Sequence, residues 1–383
     1  MNLKKMKINI LLPYREKFDL NEASAVSITI KNNLRYSHYK KIVRVFGQSV
    51  DNPISKINFY GIKPSKNFLN LFRSKNFFLA NKMIDIILDD NDKRQLVEVH
   101  NRPYIVNKIS SKLSHYPICL FLHNNPKEMR GSKTVNERNN ILKKCAGIFC
   151  VSEFIRNQFI DGLSDKLEKV HVLYNGIQSK LTTLPTKEKN ILFVGRITKD
   201  KGVDIYVDIA KKISKQYPLW TFSLIGSAET YKIENPNSFS SRVIKKFKSI
   251  GNQANYYGLQ NQNFVHTKMQ KSSIILIPSS HEAFSLVAAE AMSNGVAIIA
   301  SNVGGMAEIV NKNGILIDDN NKLCFEKALL KLLNNNVLRE KLQNRAWKNF
   351  NFYAEKSSKS LDEHRKLIIN SFFNFSSSLE IEK

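Results

Sequence analysis

The chain is short of cysteine, of acid and of long apolar runs, and each shortage removes a class of protein. Its four cysteines, Cys119, Cys145, Cys150 and Cys324, are scattered through 383 residues and form no C-x-x-C pair. A disulfide framework is thereby excluded, a zinc or dithiol site lacks its usual ligands, and the thiols suit a reducing cytosol. No apolar run approaches the roughly 18 residues that cross a bilayer. The longest, such as "IILIP" and "VAIIA", have the length of buried strands. The opening "MNLKKMKINILLPYREKF" sets lysines before an apolar segment as a signal peptide does. That segment stops at Pro13 and Arg15, short of a secretory apolar region, and reads as a first buried strand. The expected location is cytoplasmic, with peripheral attachment to the inner face of the membrane left open.

Two phosphate-binding devices are also missing. No G-x-G-x-x-G follows the first strand and no G-x-x-x-x-G-K-[ST] occurs anywhere, which disfavours an ordinary dehydrogenase or kinase. Acidic residues number 33 against 59 lysines and arginines, a net charge of +26. Such a balance calls for something anionic: nucleic acid, an anionic membrane surface or a phosphate-bearing substrate. The basic residues are dispersed and no nucleic-acid module appears, so nucleic acid is the disfavoured partner. The abundance of Lys, Asn and Ile makes part of the excess a matter of composition.

What remains is a well-packed globular chain, 42% hydrophobic and 24% charged, long enough for two or three domains. Short apolar runs alternate with polar helical stretches: "KINILLP", "YKKIVRVFG", "QLVEVHN", "PICLFLHN" and "GIFCVS", then a second series from "NILFVGR" through "WTFSLIG", "NYYGL", "SSIILIPS" and "VAIIASN" to "GILIDD". Continuous apolar runs are the mark of parallel strands buried on both faces, so the fold class is α/β, with doubly wound parallel sheets. The polar stretch "SKLTTLPTKEKN", residues 179 to 190, has the composition of a hinge. Two Rossmann-like domains facing a cleft follow: residues 1–178, residues 179–352, and a C-terminal segment 353–383 read as a helix crossing back to the first domain, with a frayed Ser-rich tail.

The stretch "IILIPSSHEAFSLVAAEAMSNGVAIIASNVGGMAEIV", residues 274 to 310, reads as strand, loop, helix, strand, Gly-Gly turn and helix. The helix is expected from Ser285 to Asn294, closed by Gly295. Its N-terminus leaves the carboxyl end of a strand, where open α/β sheets bind ligands and free N–H groups attract anions. Glu282 precedes the helix and Glu290 lies within it. Alone, Glu290 is an exposed helix carboxylate; between Ala289 and Ala291 a solvated face is hard to find, and a buried charge calls for a partner. In "NILFVGRITKDKGVDI", residues 190 to 205, Gly195 permits close backbone approach, and Arg196 and Lys201 follow. Two cations there suit a diphosphate. Taken alone, they read equally well as surface cations on a basic chain.

Together these segments resemble the C-terminal nucleotide-sugar domain of retaining GT-B glycosyltransferases of family 4. The resemblance rests on E-x(7)-E in "HEAFSLVAAEAMSNG", the "GR…KG" loop, and the "GG…E" turn at Gly304, Gly305 and Glu308. It implies that Gly195, Arg196 and Lys201 meet the donor's diphosphate, Glu290 its ribose and Glu282 its sugar, with backbone N–H groups of Phe284, Ser285 and Leu286 capping the phosphates. Ser285 stands where the family usually has Gly, a change expected to be mild because Ser starts helices well. In "FLHNNP", His123 takes the place of a His that such enzymes often keep beside the donor sugar. "FCVSEFIRNQF" and "HVLYNGI" resemble the approach to the interdomain junction, marked by Asn175 and Gly176. The family's Gly-rich loop after the first strand is replaced by "LNEASAV", with Ala23 and Ser24.

"EVHNRP" and "HNNPKEMRGSKTVNER" look like segments of enzymes that build bacterial lipopolysaccharide or capsule. Arg102, Lys127, Arg130 and Lys133 would then face the acceptor, although a solvated basic loop explains each as well. Asp90 and Asp92 have D-x-D spacing, but the basic cluster already does a metal's work, so no essential metal or other cofactor is expected. Residues 63–82 interleave Phe68, Phe72, Phe77 and Phe78 with Lys66, Arg73 and Lys75, and read first as an amphipathic helix packed on the sheet, second as a contact with an anionic bilayer. The resemblance implies a retaining transferase that moves a sugar from a nucleotide sugar to a glycan or lipid-linked acceptor. Rival readings are an epimerase or phosphorylase on the same fold, and a basic nucleic-acid-binding protein.

Overall fold

The computed structural model describes residues 6–20, 24–54, 57–63, 74–92, 94–179, 181–227, 238–319 and 321–379, with side chains as far as residue 373. Ala23, Lys66, Phe68, Phe72 and Arg73 lie outside the described residues. The chain forms two compact units, Met1–Gly176 with Phe352–Lys383, and Ile177–Asn351.

The first unit carries seven parallel strands: β1 (Met6–Leu11), β2 (Val43–Gln48), β3 (Asn58–Ile62), β4 (Arg94–His100), β5 (Ile118–Leu122), β6 (Gly147–Cys150) and β7 (Val170–Val172), in the order β3-β2-β1-β4-β5-β6-β7. Helices α1 (Ala25–Tyr36), α2 (Lys75–Leu88), α3 (Pro103–Lys112), α4 (Val135–Lys144) and α5 (Glu153–Ile160) belong to it. Every residue of β5 and β6 is buried, because a strand covered on both faces has no solvent side. The sequence pattern passes over β3 and β7. These are the edge strands, β3 has no buried residue and β7 has only one, so the continuous apolar run that marks a central strand is absent. At the amino ends of the central strands the core is polar. Arg44 donates to Asn9 and Gln95 at 2.8 and 2.7 Å, and pairs with Asp90 at 2.6 Å. Asp92 faces Lys7 at 3.3 Å. Both aspartates of the D-x-D are thus engaged in ion pairs just before β4, at the edge opposite the loops where α/β sheets bind ligands.

The second unit has six parallel strands, β8 (Glu188–Val194), β9 (Thr221–Ile225), β10 (Ala254–Gly258), β11 (Ser272–Ile277), β12 (Ala297–Ser301) and β13 (Ile315–Ile317), in the order β10-β9-β8-β11-β12-β13. Its helices are α6 (Val203–Ile213), α7 (Phe239–Lys248), α8 (Gln262–Lys271), α9 (Leu286–Ser293), α10 (Met306–Val310), α11 (Lys322–Asn334) and α12 (Asn336–Lys348). Phe193, Tyr206, Phe222, Phe247 and Phe325 fill its core. Counted within each unit, the strands run 3-2-1-4-5-6, the Rossmann order, with a seventh strand added at the edge of the first unit and the reversal between the first and fourth. In the second unit that reversal separates β8 from β11.

The last helix, α13 (Ala354–Leu379), packs on α1 of the first unit and stays helical through the Ser-rich stretch expected to fray. Ser357, Ser358, Asp362 and Arg365 tie it to the rest of the unit. Ser357 donates to the Tyr174 carbonyl at 2.9 Å and Ser358 to that of Asn33 at 2.8 Å. Asp362 accepts from Ser37 and the His38 amide, both at 2.8 Å, and Arg365 meets Glu98 on β4 through two bonds of 2.7 and 2.8 Å. Where α13 starts, Gly176 lies so close to Ala354 that a β-carbon would sit 2.4 Å from its Cα. Only glycine fits there. Among the described residues no helix is long and apolar enough to cross a membrane.

Candidate functional site

In the second unit, the loops that leave β8 and β11 are fastened to each other. The Ser280 amide donates to the Asp200 carbonyl at 2.9 Å. Gly202 turns with φ +66°, and a β-carbon there would lie 2.0 Å from the Pro278 oxygen, so the approach of the two loops demands glycine. This junction brings two expected residues, 81 positions apart, into contact: Lys201 Nζ lies 2.8 Å from Glu282 Oε1. The pair is partly shielded, with 24% and 12% of the side chains exposed, so their attraction is less screened than on an open surface. Arg196 reaches Asp200 at 2.9 Å and is well exposed. The Gly305 amide donates to the Glu282 carbonyl at 3.0 Å, tying the Gly-Gly turn after β12 to the same place. Gly195, at the end of β8, is bound through its amide to the Ile225 carbonyl at 3.0 Å.

Helix α9 begins beside Glu282. Phe284 is buried, Leu286 is the first helical residue, and the Ser285 hydroxyl accepts from the Ala288 amide at a long 3.4 Å. The expectation that serine is a mild replacement here needs correction. Ser285 has φ +80°, ψ +87°, a left-handed conformation that glycine tolerates and a residue with a β-carbon resists. Its weak cap bond offsets only part of that strain.

From Ala288 onwards α9 has no solvated face, and Glu290 is buried with it, 6% exposed. Its Oε1 accepts from Gln262 Nε2 at 3.3 Å and lies 3.8 Å from His266 Nε2. Desolvation outweighs that bond and pushes the carboxyl up from 4.5 to about 7. Burial also lowers the pKa of His266, which disfavours the imidazolium that would pair with the carboxylate. A consequence for stability follows. Between pH 4.5 and 7 the unfolded chain has released this proton while the folded chain retains it, so stability falls as pH rises and stays reduced above 7. At about 1.4 kcal/mol per pH unit, Glu290→Gln stabilises the second unit by about 3 kcal/mol above pH 7, and by little at pH 4.5. Denaturant unfolding followed through Trp220 and Trp347, both in this unit, measures it; a gain independent of pH refutes it.

In the first unit, His123 follows β5. Its Nε2 lies 3.0 Å from Nδ1 of His100, the last residue of β4, and the His100 ring stacks on Phe121 with centroids 4.4 Å apart. Burial holds His123 at about 4 and His100 well below its usual range. Arg130 lies over the Tyr104 ring at 5.1 Å, on a pocket of about 270 Å3 shared with Phe77, Asn107 and Asn140. Arg102 precedes α3 and donates to the Asn101 carbonyl at 2.6 Å. Lys127 is paired with Asp161 at 2.5 Å and Lys133 is exposed. The four basic residues therefore have four different settings. Sequence reasoning missed His100, Asp200, Gln262 and His266: each is a common residue type in an unremarked position, and only its contact makes it part of a site.

Two Rossmann-like sheets, with charged loops at the switch point of the second, define the class as a twin-domain α/β fold. Comparison with known proteins gives a likeness for each unit. Residues 177–349 match the model described as glycosyl transferases group 1, and residues 42–181 match that of glycosyltransferase family 4. Between them the two models run from residue 42 to residue 349, and the chain is similar to the group 1 glycosyltransferases. An uncharacterised glycosyltransferase of Methanocaldococcus jannaschii is 34% identical over 201 residues, 51% of this chain and 52% of the relative. A lipopolysaccharide 1,2-N-acetylglucosaminetransferase of Salmonella typhimurium is 28% identical over 121 residues, 31% of this chain and 32% of the relative. The chain thus spans about half the length of the first and a third of the second. Among solved structures, Anabaena HepE in complex with UDP and glucose superposes with a TM-score of 0.73 at 16% identity, over 94% of this chain and 99% of that one.

Proposed function

We propose that the chain transfers a sugar from a nucleotide-sugar donor to a hydroxyl of a glycan or lipid-linked acceptor, with retention of anomeric configuration, in the synthesis of bacterial surface polysaccharide or lipopolysaccharide. The observation that carries this reading is the Lys201–Glu282 pair where the β8 and β11 loops meet, with Arg196 in the same loop and the N-terminus of α9 following. Lys201 has three N–H donors and Glu282 takes one of them, leaving two for phosphate oxygens. The remaining lone pairs of Glu282 accept from hydroxyls of the donor sugar.

The difficult step is departure of the nucleoside diphosphate. Arg196, Lys201 and the positive end of the α9 dipole stabilise the negative charge that grows on it, and fixed charge aimed at a transition state is an effective form of catalysis. With cations in that role the reaction requires no bound metal. Glu290 meets the ribose diol, and because its carboxyl is half-protonated near neutral pH it accepts best above pH 7. His123 orients the donor sugar. The pocket beside Tyr104 and Arg130 supplies an aromatic and polar surface suited to an acceptor glycan. The UDP and glucose bound by HepE and the lipopolysaccharide acceptor in the Salmonella relative's name support the donor and acceptor classes.

Calorimetric titration with UDP-, GDP- and ADP-sugars tests the donor site, using the parent chain and an Arg196→Ala, Lys201→Ala double variant. Micromolar binding of one donor by the parent, lost in the variant, is the expected result. Failure of a folded parent to bind any of them overturns the reading.

A further inference from the structure

Beside the two histidines of the first unit is a small, partly open cavity of about 20 Å3, lined among others by Asn33, His100, His123, Asn175 and Arg365. Three side-chain atoms of its wall are buried without a hydrogen-bond partner: Asn33 Oδ1, Asn175 Oδ1 and His100 Nε2. Their residues are 5%, 6% and 4% exposed. Buried polar atoms are nearly always satisfied, so three orphans around one cavity point to a shared partner. The volume admits a single water and little more.

We infer that one water molecule occupies this cavity and, by fixing the tautomer of His100, leaves Nδ1 of His123 unprotonated as the acceptor that a substrate hydroxyl meets. A water carries two O–H donors and two lone pairs. With both amide oxygens as acceptors its protons are used, and the third partner, His100 Nε2, must then be a donor. Were His100 Nε2 an acceptor, three acceptors would compete for two protons and one would stay buried and unpaired, which favours the first arrangement by roughly tenfold or more. With its proton on Nε2, neutral His100 presents a lone pair at Nδ1. The proton in the 3.0 Å contact therefore belongs to His123 Nε2, and His123 Nδ1 is bare. Burial keeps both rings neutral, and the Arg365 charge further disfavours an imidazolium at His100. The parallel stack on Phe121 restrains the His100 ring. His100 is in this account a positioning residue, acting on the sugar only through His123.

The role of the exposed nitrogen rests on the proposed placement of His123 beside a sugar; the tautomers themselves do not. They are read from a long-range proton–nitrogen correlation spectrum of the full chain with labelled histidine, at pH 7 and without substrate, assigned with His100→Gln and His123→Gln variants. Both rings are expected as neutral Nε2–H tautomers. A His123 that carries its proton on Nδ1, or either ring doubly protonated, overturns the inference. Asn175→Ala removes one acceptor, so the water's second proton becomes available to His100 Nε2. The minor tautomer is then expected to rise from under about a tenth to a comparable population. Asn33→Leu, which fills the cavity, gives the same readout from the other wall. Tautomer ratios unchanged in a folded variant would show that no water sets them, and a crystal structure of the parent resolving ordered solvent must show a water within about 3 Å of all three atoms. Loss of donor binding in the titrations would sink the transferase reading and leave the tautomer result standing.

Discussion

Lys201→Ala is expected to lower kcat/KM by about 10²–10³. The loss combines the removal of a cation opposite the departing diphosphate with the stranding of Glu282, whose carboxylate is 12% exposed and has Lys201 2.8 Å away. A companion variant separates these causes. Glu282→Gln removes the competitor for the ammonium, so the nucleoside diphosphate alone binds at least as tightly as to the parent while turnover falls. Lys201→Ala weakens both. The measurement is steady-state kinetics beside calorimetry with the bare diphosphate. Should Glu282→Gln weaken diphosphate binding as much as Lys201→Ala does, the division of labour between diphosphate and sugar is wrong.

The second large effect concerns stability. Glu98 and Arg365 are 1% and 2% exposed and joined by two hydrogen bonds, with Asp362 a further partner of Arg365 at 3.3 Å. Removing one member leaves the other charge buried, at a cost of about 3–5 kcal/mol. Glu98→Leu and Arg365→Met are each expected to destabilise the first unit by that amount, and the double variant by much less than the sum, because an apolar pair avoids the desolvation penalty. Both tryptophans lie in the second unit, so fluorescence does not report this. Hydrogen exchange of the β4 and β5 amides does, and it also detects release of α13. Additive losses would mean that the pair is incidental to the attachment of α13.

Much of the fold is legible in the chain because its signals are local. "ICLFL" and "SSIILI" announce buried central strands through composition alone, and Gly295 ends α9 where a left-handed residue is needed. The edge strands β3 and β7 are illegible for the same reason, since solvent on one side removes the apolar run. Within the site, residue types and loops can be read, but contacts cannot. The D-x-D spacing of Asp90 and Asp92 does not tell that Arg44 and Lys7 stand beside them. Serine looks innocuous at position 285 until its φ of +80° is known.

The sequence by itself determined the α/β class, two series of parallel strands, and the loops that carry Arg196, Lys201, Glu282 and Glu290. Hydrophobic burial and chain punctuation act over a few residues and leave their pattern in order along the chain. Only the tertiary structure decided which polar groups meet: Lys201 with Glu282 across 81 positions, His100 with His123 across 23, and Glu98 with Arg365 across 267. It also decided protonation, lifting Glu290 to about 7 and holding His123 at about 4. Pairing and proton affinity depend on distance and on the exclusion of water, and both arise where strands distant in the chain are brought side by side.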